Sequence, residues 1–409
     1  MTDPRLDAWR TLAAPAARPL LAAAAEVEAA GVTPSAVTRL RRDHPRAPVP
    51  EALDLAGARR RSAAKFDDPT RLLLDRAGLE QATSAMVAKW KATRFGSAPV
   101  LDLCCGIGGD SMALAGRGPC VGVDRDPVRA FMAAHNAGIE TIVGDVETLP
   151  IDRPLVHLDP ARRDESSGRR SWRLEDLVPG IDVIRRIVDE AEGAAIKLGP
   201  GVPMPPPVLH ARQSVSIVAE SGRLVQAIVW TGRLARSTSV EAVDLPSGRT
   251  LEGEPEALRS GPVELEGALL EFHPAVERAG LGPQVLREHL ALGEVEVEPA
   301  VGLGLAVVDR ASVEQAVAGG RGHWFRAISI EAVVAPRPEA VADAIRRATP
   351  NPRQVVVRTR GGAVDADDWT RRLATLGGAA GAGIVEVHGL RLGRSTVAIV
   401  GRPIDHSKS

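Results

Sequence analysis

The spacing of apolar residues divides the chain into a helical beginning and a longer region of mixed pattern. Over residues 1–95 apolar positions recur at helical spacing, as in LLAAAAEVEAAG and DPTRLLLDRAGLEQATSAMVAKWKATRFG, with no strand-like alternation. Thr33 and Ser35 are candidate caps of a helix over TPSAVTRLRRDHP. We therefore expect an N-terminal helical domain over residues 1–95.

From residue 96 short apolar runs alternate with helical patterns. PVLDLCC, CVGVD, ETIVGD, LVHLDP and AAIKLGPG have strand character, whereas GDSMALAGRG, DPVRAFMAAHNAG and LEDLVPGIDVIRRIVDEAEG have helix character. This alternation predicts a parallel sheet covered by helices on both faces. SVSIVAESG and LVQAIVWTG lie one turn apart, so they should pair antiparallel. Residues 96–236 are thus expected to form a Rossmann-like α/β sheet ending in an antiparallel hairpin, the element order of class I methyltransferases.

The rest of the chain predicts two further segments. Residues 237–334 form an acidic connecting region, with a hairpin at EAVDLPSGRTLEG and a helix at PQVLREHLA. Residues 335–409 form a small α+β module, in which helices PEAVADAIRRAT and DADDWTRRLATLG accompany the strand QVVVRTRG and the paired strands GIVEVHGL and STVAIVG.

The stretch VLDLCCGIGGDSMALA joins a strand to a helix through glycines, which brings backbone N–H groups close to a ligand. A dinucleotide fingerprint would need glycine where Ser111 stands, and a Walker loop would need a lysine. Asp102 precedes the glycines, and a carboxylate there repels a pyrophosphate but suits an ammonium or a sulfonium. We therefore expect S-adenosylmethionine, with Asp102 at its amino-acid end and Gly106 and Gly108 allowing close approach.

Acids also end the next two predicted strands. Asp124 ends CVGVD, where a carboxylate can accept both ribose hydroxyls, and Asp145 ends ETIVGD, where it and the N–H of Val146 can contact adenine. Each acid alone could be a helix cap, but the series favours a nucleoside site. Since NAD sites also use the ribose acid, a nicotinamide-dependent oxidoreductase stays an alternative, disfavoured by Ser111 and by the terminal hairpin.

The fourth predicted strand ends in HLDPARRD. Enzymes that methylate amino groups place Asn/Asp-Pro-Pro-aromatic here, and this chain keeps Asp159 and Pro160 but has Ala161 and Arg162 in place of the second proline and the aromatic residue. Asp159 can orient or deprotonate a nucleophile. Arg162 and Arg163 can stack on a base or bind a phosphate, although a solvated turn would explain both arginines as well.

The composition of the chain excludes only a few classes of protein. A net charge of −1 over 409 residues excludes a globally basic nucleic-acid binder. The three cysteines predict neither a disulfide framework nor a zinc site, and we expect no metal. Cys104 and Cys105 are expected to pack beneath the ligand, and His157 to be a buried strand histidine. No apolar run is long enough to span a membrane, so we expect a cytoplasmic protein.

Together, DLCCGIGGDSMALA, VGVDRDPVRAFMAAHNA, DPARR and the upstream LLLDRAGLEQATSAMVAKWKATRF resemble bacterial class I S-adenosylmethionine-dependent methyltransferases that carry a C-terminal THUMP-like domain, related to the trimethylguanosine synthase group. The resemblance implies an RNA substrate and places Gln81 and Thr83 at the cofactor pocket. THUMP domains bind RNA, and Arg353, Arg358 and Arg360 offer charge for that, although a THUMP-like fold need not bind anything. The group's tryptophan on strand four is missing here, so its guanosine-N2 activity does not carry over.

The sequence therefore predicts a methyltransferase that acts on a nucleic-acid base, in RNA. A non-catalytic RNA-binding protein that retains the methyltransferase fold is the alternative, because the strand-four motif is altered.

Overall fold

The computed structural model describes residues 3–151, 155–162, 176–204, 206, 209–210, 212–261, 263–292, 299–300, 302–378 and 381–404. The chain forms two compact units: Met1–Ser239 with Val243–Arg249, and Val240–Ala242 with Thr250–Ser409. The helical segment 1–95 and the predicted core 96–236 fall in the first unit. The connecting region and the C-terminal module fall almost entirely in the second.

The helices of the first unit are α1 (Pro4–Ala13), α2 (Arg18–Ala30), α3 (Pro34–Asp43), α4 (Val49–Arg61), α5 (Arg76–Gln81), α6 (Ala85–Ala92), α7 (Ser111–Ala115), α8 (Pro127–Ala137) and α9 (Ile181–Glu190). Side chains that cap the N-termini set several of the boundaries. Thr33 accepts a hydrogen bond from the N–H of Ala36 and so caps α3, as predicted. Ser35 lies instead in the first turn of α3, with its hydroxyl 3.1 Å from that of Thr33.

The helical pattern over residues 68–96 does not form one helix. It is divided between α5 and α6, because the chain is extended at Ala82 (φ −62°, ψ 142°) and Ser84 caps the new helix by accepting from the N–H of Val87. This interruption brings Thr83 and Ser84 into the buried interior of the unit.

The strands up to the unit boundary are β1 (Val100–Leu103), β2 (Cys120–Asp124), β3 (Glu140–Val143), β4 (Leu155–Leu158), β5 (Ala161–Arg162), β6 (Leu177–Val178), β7 (Gly193–Leu198), β8 (Gln213–Glu220), β9 (Arg223–Thr231), β10 (Val240–Leu245) and β11 (Arg249–Gly253). Within the first unit the large sheet has the order β8-β9-β7-β4-β1-β2-β3. Strands β1, β2, β3, β4 and β7 are parallel, and β9 pairs antiparallel with both β7 and β8. The predicted α/β fold with a terminal antiparallel hairpin is confirmed.

One predicted helix is shorter than its sequence pattern. The pattern LEDLVPGIDVIRRIVDEAEG predicts a long helix, but α9 begins only at Ile181. Leu177 and Val178 form β6 and pair with β5, because Pro179 and Gly180 stand between them and the helix. The short β5–β6 pair follows directly after Asp159 and Pro160.

Sheet register decides which side chains meet. The pairing of β1 with β4 places Asp102 directly beside His157. The pairing of β4 with β7 ends at Leu158 opposite Ile196, so the next residues, Asp159 and Lys197, are also neighbours. Because strand side chains alternate between faces, His157 and Asp159 share one face of the sheet.

The second unit is built on a six-stranded sheet with the order β13-β12-β14-β17-β16-β15. Its strands are β12 (Ala268–Phe272), β13 (Leu305–Val308), β14 (Phe325–Val334), β15 (Gln354–Arg360), β16 (Ile384–Leu392) and β17 (Ser395–Pro403), and its helices are α10 (Pro274–Ala279), α11 (Gly282–Leu290), α12 (Arg310–Ala318), α13 (Pro338–Ala348) and α14 (Ala366–Leu373). The predicted antiparallel pair of C-terminal strands is present as β16 and β17. Strand β14 pairs with β17, so the connecting region and the C-terminal module share one sheet. Within the described residues, no helix is long and apolar enough to cross a membrane.

Candidate active site

A cavity of about 1090 Å³ lies in the first unit, beside the carboxyl ends of the parallel strands. Open α/β sheets bind ligands at this edge. The cavity brings together most of the residues that the sequence predicts for cofactor and substrate: Asp102, Gly106, Asp124, Asp145, Val146, Asp159 and Pro160. Arg163 and the side chain of Arg162 lie outside the described residues.

The glycine loop after β1 has a backbone that favours glycine. Cys104, Gly106 and Gly108 have φ values of 57°, 55° and 83°. A Cβ on Gly106 would meet nothing within 4 Å, so this glycine faces open space. A Cβ on Gly108 would lie 3.0 Å from Cα of Ala133 in α8. Gly106 therefore leaves room for a ligand, whereas Gly108 allows the loop to pack on a helix.

Asp124 holds the loop from the end of β2. Its Oδ2 accepts the N–H of Gly106 at 3.0 Å, and its Oδ1 accepts the N–H of Asp126 at 2.9 Å. Burial raises the pKa of this carboxyl, because the charged form loses solvation. A carboxylate has about four lone-pair sites, so Asp124 keeps acceptor capacity for hydroxyl groups in the cavity.

The turn after β3 is held in place by α9. Asp145 Oδ1 accepts the N–H of Glu147 at 2.9 Å, so this acid stabilises its own turn. The carbonyl of Val146 accepts from Arg186 Nη2 at 2.7 Å, and its side chain is buried. The backbone of Val146 is thereby fixed at the cavity wall.

Asp102 has different partners from those predicted. It is 0% exposed, its Oδ1 lies 2.7 Å from His157 Nδ1, and its Oδ2 accepts the hydroxyl of Ser111. Both carboxylate oxygens therefore bind side chains of the protein. His157, expected to be an ordinary buried histidine, is the residue that engages it.

Beyond His157 lies a second buried acid with its own cation. Lys91 of α6 lies 2.8 Å from His157 Nε2 and 2.7 Å from Asp110 Oδ1, and the hydroxyl of Thr83 donates to Asp110 Oδ2 at 2.7 Å. Burial lowers the pKa of Lys91. Burial acts to raise the pKa of Asp110, but the charges of Lys91 and Lys197 outweigh it and lower that pKa.

We call Thr83, Lys91, Asp102, Asp110, Ser111 and His157 the buried network. Donors and acceptors in it match if Lys91 is protonated. His157 Nε2 then accepts from Lys91, so the ring hydrogen sits on Nδ1 and is donated to Asp102. The network joins the N-terminal helical segment to the strand that precedes the glycine loop.

Asp159, at the end of β4, pairs with a lysine on the neighbouring strand. Lys197 Nζ donates to Asp159 Oδ2 at 2.6 Å and to the carbonyl of Gln81 at 3.2 Å. The Asp159 side chain is 32% exposed and lines the cavity, whereas that of Lys197 is 12% exposed. Asp159 is thus the acid of strand four that a ligand in the cavity can reach.

The cysteines of the loop are poorly suited to nucleophilic chemistry. Burial, together with the carboxylates of Asp124, Asp159 and Asp102, raises the pKa of Cys104 far above its ordinary range. Burial also raises that of Cys105. Since the thiolate is the reactive form, both side chains are inert at neutral pH.

Sequence reasoning missed the two lysines and Asp110. A usable signal existed for Lys197, because it interrupts the apolar run AAIKL of a buried strand, where an unpaired charge is costly. Lys91 had no comparable signal, since lysines are common on helices. Gln81 and Thr83 do line the cavity, as the family resemblance implied. Among the described residues, no cluster of three or more His, Cys, Asp or Glu is arranged to hold a metal ion.

Comparison with known proteins agrees with the geometry of the fold. No protein-family profile matches the sequence. The chain is 32% identical over 239 residues to two proteins named as uncharacterized S-adenosylmethionine-dependent methyltransferases, from two strains of Mycobacterium tuberculosis. The match covers 54% of this chain and 65% of each relative, so the chain spans slightly less than two thirds of the curated relatives that it matches.

A crystal structure of a protein from Porphyromonas gingivalis, named as a methyltransferase, superimposes over most of the chain. The TM-score is 0.66 at 17% identity, and the match covers 95% of this chain and 99% of the other. At that identity the likeness concerns the fold. The chain thus has the Rossmann-like α/β fold of the class I methyltransferases.

Proposed function

We propose that the protein is an S-adenosylmethionine-dependent methyltransferase that modifies a nucleic-acid base, in RNA. The observation that carries the proposal is the cavity at the strand ends, which is lined by Asp124, Val146 and Asp159 and is left open at Gly106. The names of the mycobacterial relatives support the same activity and cofactor.

The charge of the cavity fits this cofactor. Ten carboxylates and four cationic side chains line it among the described residues. An excess of carboxylates attracts a ligand that carries a sulfonium and an ammonium, and it repels a dinucleotide pyrophosphate. This supports S-adenosylmethionine over a nicotinamide cofactor.

The residues around the cavity have separable roles. Asp124 would accept the ribose hydroxyls, and the backbone at Val146, beside Asp145, would contact the adenine. Asp102 would act indirectly, since it holds His157 and Ser111 behind the loop. The bound cofactor supplies a methyl group on a positively charged sulfur. Asp159 would accept a hydrogen of the target and Pro160 would shape the strand end beside it, so catalysis rests on positioning rather than on a covalent enzyme intermediate.

The same acidity restricts how RNA could bind. Phosphate groups would be repelled from the cavity, so a substrate RNA would have to present an unpaired or flipped base while its backbone stayed outside. Arg162 and Arg163, which follow Asp159, are the proposed contacts for that base or backbone. In the second unit Arg353 is exposed, whereas Arg358 and Arg360 are engaged with Glu386 and Glu271, so we propose Arg353 as the primary RNA contact there.

Methyl transfer to RNA tests the proposal. Radiolabelled S-adenosylmethionine and total RNA from a strain lacking the gene should give labelled RNA with the wild-type protein and none with Asp159→Ala. Mass spectrometry of nucleosides with and without the gene should identify the product. RNA binding without transfer would instead support the non-catalytic alternative, and transfer unaffected by Asp159→Ala would remove Asp159 from the mechanism.

A further inference from the structure

Lys197 is a mostly buried lysine whose ammonium makes two specific hydrogen bonds beside the cavity. It lies on β7, surrounded by buried strand residues, and its ammonium is shared between Asp159 Oδ2 and the carbonyl of Gln81. Burial acts to lower the pKa of Lys197, but the nearby charges of Asp159 and Asp110 outweigh it and raise that pKa. Lys197 is therefore a firmly protonated cation beside the cavity.

Its two hydrogen bonds reach different parts of the unit. Asp159 belongs to the end of β4, and Gln81 is the last residue of α5. The N–H of Asp159 also donates to the carbonyl of Leu103 at 3.2 Å, which fixes its backbone. With Oδ2 bound to Lys197, a hydrogen presented by a ligand would be accepted by Oδ1 of Asp159.

We propose that Lys197 is a positioning residue that holds Asp159 at the point of methyl transfer, where Asp159 accepts a proton from an acceptor nitrogen that bears hydrogen. The inference rests on the proposed function and narrows its substrate class. A neutral nitrogen keeps the lone pair that forms the new N–C bond, while the electron pair of the S–C bond stays with sulfur. The proton lost by nitrogen goes to Asp159.

The lone pair distinguishes this acceptor from an alkylammonium. An ammonium has no lone pair with which to attack the methyl carbon. Exocyclic amino groups of nucleobases are neutral at pH 7 and carry hydrogens for Oδ1. Asp159, held by Lys197, can therefore accept a hydrogen from a base amino group.

Sinefungin provides a probe that does not require the RNA to be known. It carries an amine where S-adenosylmethionine carries its reactive methyl, whereas S-adenosylhomocysteine carries nothing there. Calorimetric Kd values for both ligands give a ratio that reports the charge at the transfer point and is insensitive to partial unfolding. The ratio is measured for the wild type, Asp159→Asn, Lys197→Met, Lys197→Arg and the double variant.

If Lys197 positions Asp159, Asp159→Asn should reduce the preference for sinefungin about tenfold, or about 1.4 kcal/mol. In the Lys197→Met background the same change should have less than about a twofold effect, because the carboxylate is no longer held there. Lys197→Arg should retain most of the preference. Lys89→Met, which removes an exposed lysine of α6, is the matched control and should leave the ratio unchanged.

Each contrary result has a distinct meaning. An equal or larger effect of Asp159→Asn in the Lys197→Met background would overturn the positioning role while leaving the methyltransferase assignment intact. Absence of binding by both ligands in the wild type would overturn the proposed function itself. A nucleoside methylated on an exocyclic amino nitrogen supports the acceptor class, and a product methylated on a ring nitrogen, on carbon or on oxygen contradicts it.

Discussion

Each unit contains a cluster of paired acids and cations, and the two clusters differ in how far water reaches their charges. In the buried network of the first unit, the side chains of Lys91 and Asp110 are 1% and 7% exposed. In the second unit, Glu271, Arg326, Arg358, Arg360 and Glu386 form what we call the arginine cluster. There Glu386 is 4% exposed, but its partners Arg326 and Arg358 are 39% and 40% exposed. In the buried network both the acid and the cation of the Lys91–Asp110 pair are buried. In the arginine cluster Glu386 is buried, but the arginines paired with it are partly exposed.

This difference in burial gives the two clusters different effects on the stability of the fold. Charges that lose their water on both sides are expensive to bury and are tolerated where position matters more than stability. Four members of the buried network, Thr83, Asp102, Asp110 and His157, also line the cavity. The arginines of the second cluster keep part of their hydration, so their ion pairs stabilise the sheet modestly. We therefore expect removal of one charged partner to lower the free energy of unfolding more in the buried network than in the arginine cluster.

The largest effect is expected at Lys91. Lys91→Met leaves Asp110 buried without its cation, and removal of one partner of a buried pair typically costs about 3–5 kcal/mol in the free energy of unfolding. Urea denaturation measures it. Lys89→Met, at an exposed neighbouring lysine, should change stability by less than about 0.5 kcal/mol.

The double variant of Lys91→Met with Asp110→Asn sharpens this result. It removes both charges and should recover most of the lost stability, because position 110 then holds no buried charge that needs a cation. A double variant as unstable as Lys91→Met alone would show that packing of the lysine stem, not its charge, is what the fold requires.

A smaller and pH-dependent effect is expected at Glu386. Burial alone would raise its pKa, but the hydrogen bond with His388 and the charges of Arg326 and Arg358 lower it to about 2 from an ordinary value of 4.5. A carboxyl with a lowered pKa stabilises the folded state above pH 4.5, and that contribution is lost as the pH falls through about 2. Glu386→Gln should therefore cost about 1–2 kcal/mol at pH 7, discounted for solvent screening at the half-exposed arginines.

The comparison of wild type and Glu386→Gln by urea denaturation at several pH values checks this expectation. The difference in unfolding free energy should shrink steadily below pH 4.5. An equal difference at pH 7 and pH 3 would mean that the charge of Glu386 is not what stabilises the cluster.

The smallest effect is expected from thiol chemistry beside the buried network. Burial raises the pKa of Cys120 to about 12, and the pKa values of Cys104 and Cys105 are also raised. Iodoacetamide at pH 8 should label the native protein far more slowly than the guanidinium-unfolded protein. Rapid native labelling at Cys104 or Cys105 would show that the glycine loop is accessible to solvent and reactive.

Local sequence patterns were enough to predict the sheet and the acids around the cavity. Strand and helix periods, the glycine loop and the acids at successive strand ends are all encoded within short segments, and parallel strands bring their carboxyl ends to one edge. Asp124, Asp145 and Asp159 accordingly line one cavity. The split between α5 and α6 was missed, because the apolar period continues through the break at Ala82.

The contacts between buried side chains of the site could not be predicted, because they follow from the register between strands that are distant in the sequence. Asp102 meets His157 only because β1 pairs with β4 in one particular alignment, and Lys197 meets Asp159 because β7 follows in the same order. Lys91, on a separate helix, lies within 2.8 Å of His157 Nε2 and 2.7 Å of Asp110 Oδ1. These contacts enclose Asp102 between His157 and Ser111, partners that its place before the glycine loop did not reveal.

Calorimetric titration with S-adenosylmethionine tests the central claim most directly. The wild type should bind with a Kd of roughly 1–100 µM, within the range usual for enzyme substrates. Asp124→Ala should weaken binding at least about tenfold, since it removes the acceptor proposed for the ribose. Asp182→Ala, at an acid whose side chain is 92% exposed on α9, should bind like the wild type. No binding by the wild type, or equal binding by Asp124→Ala, would contradict the account.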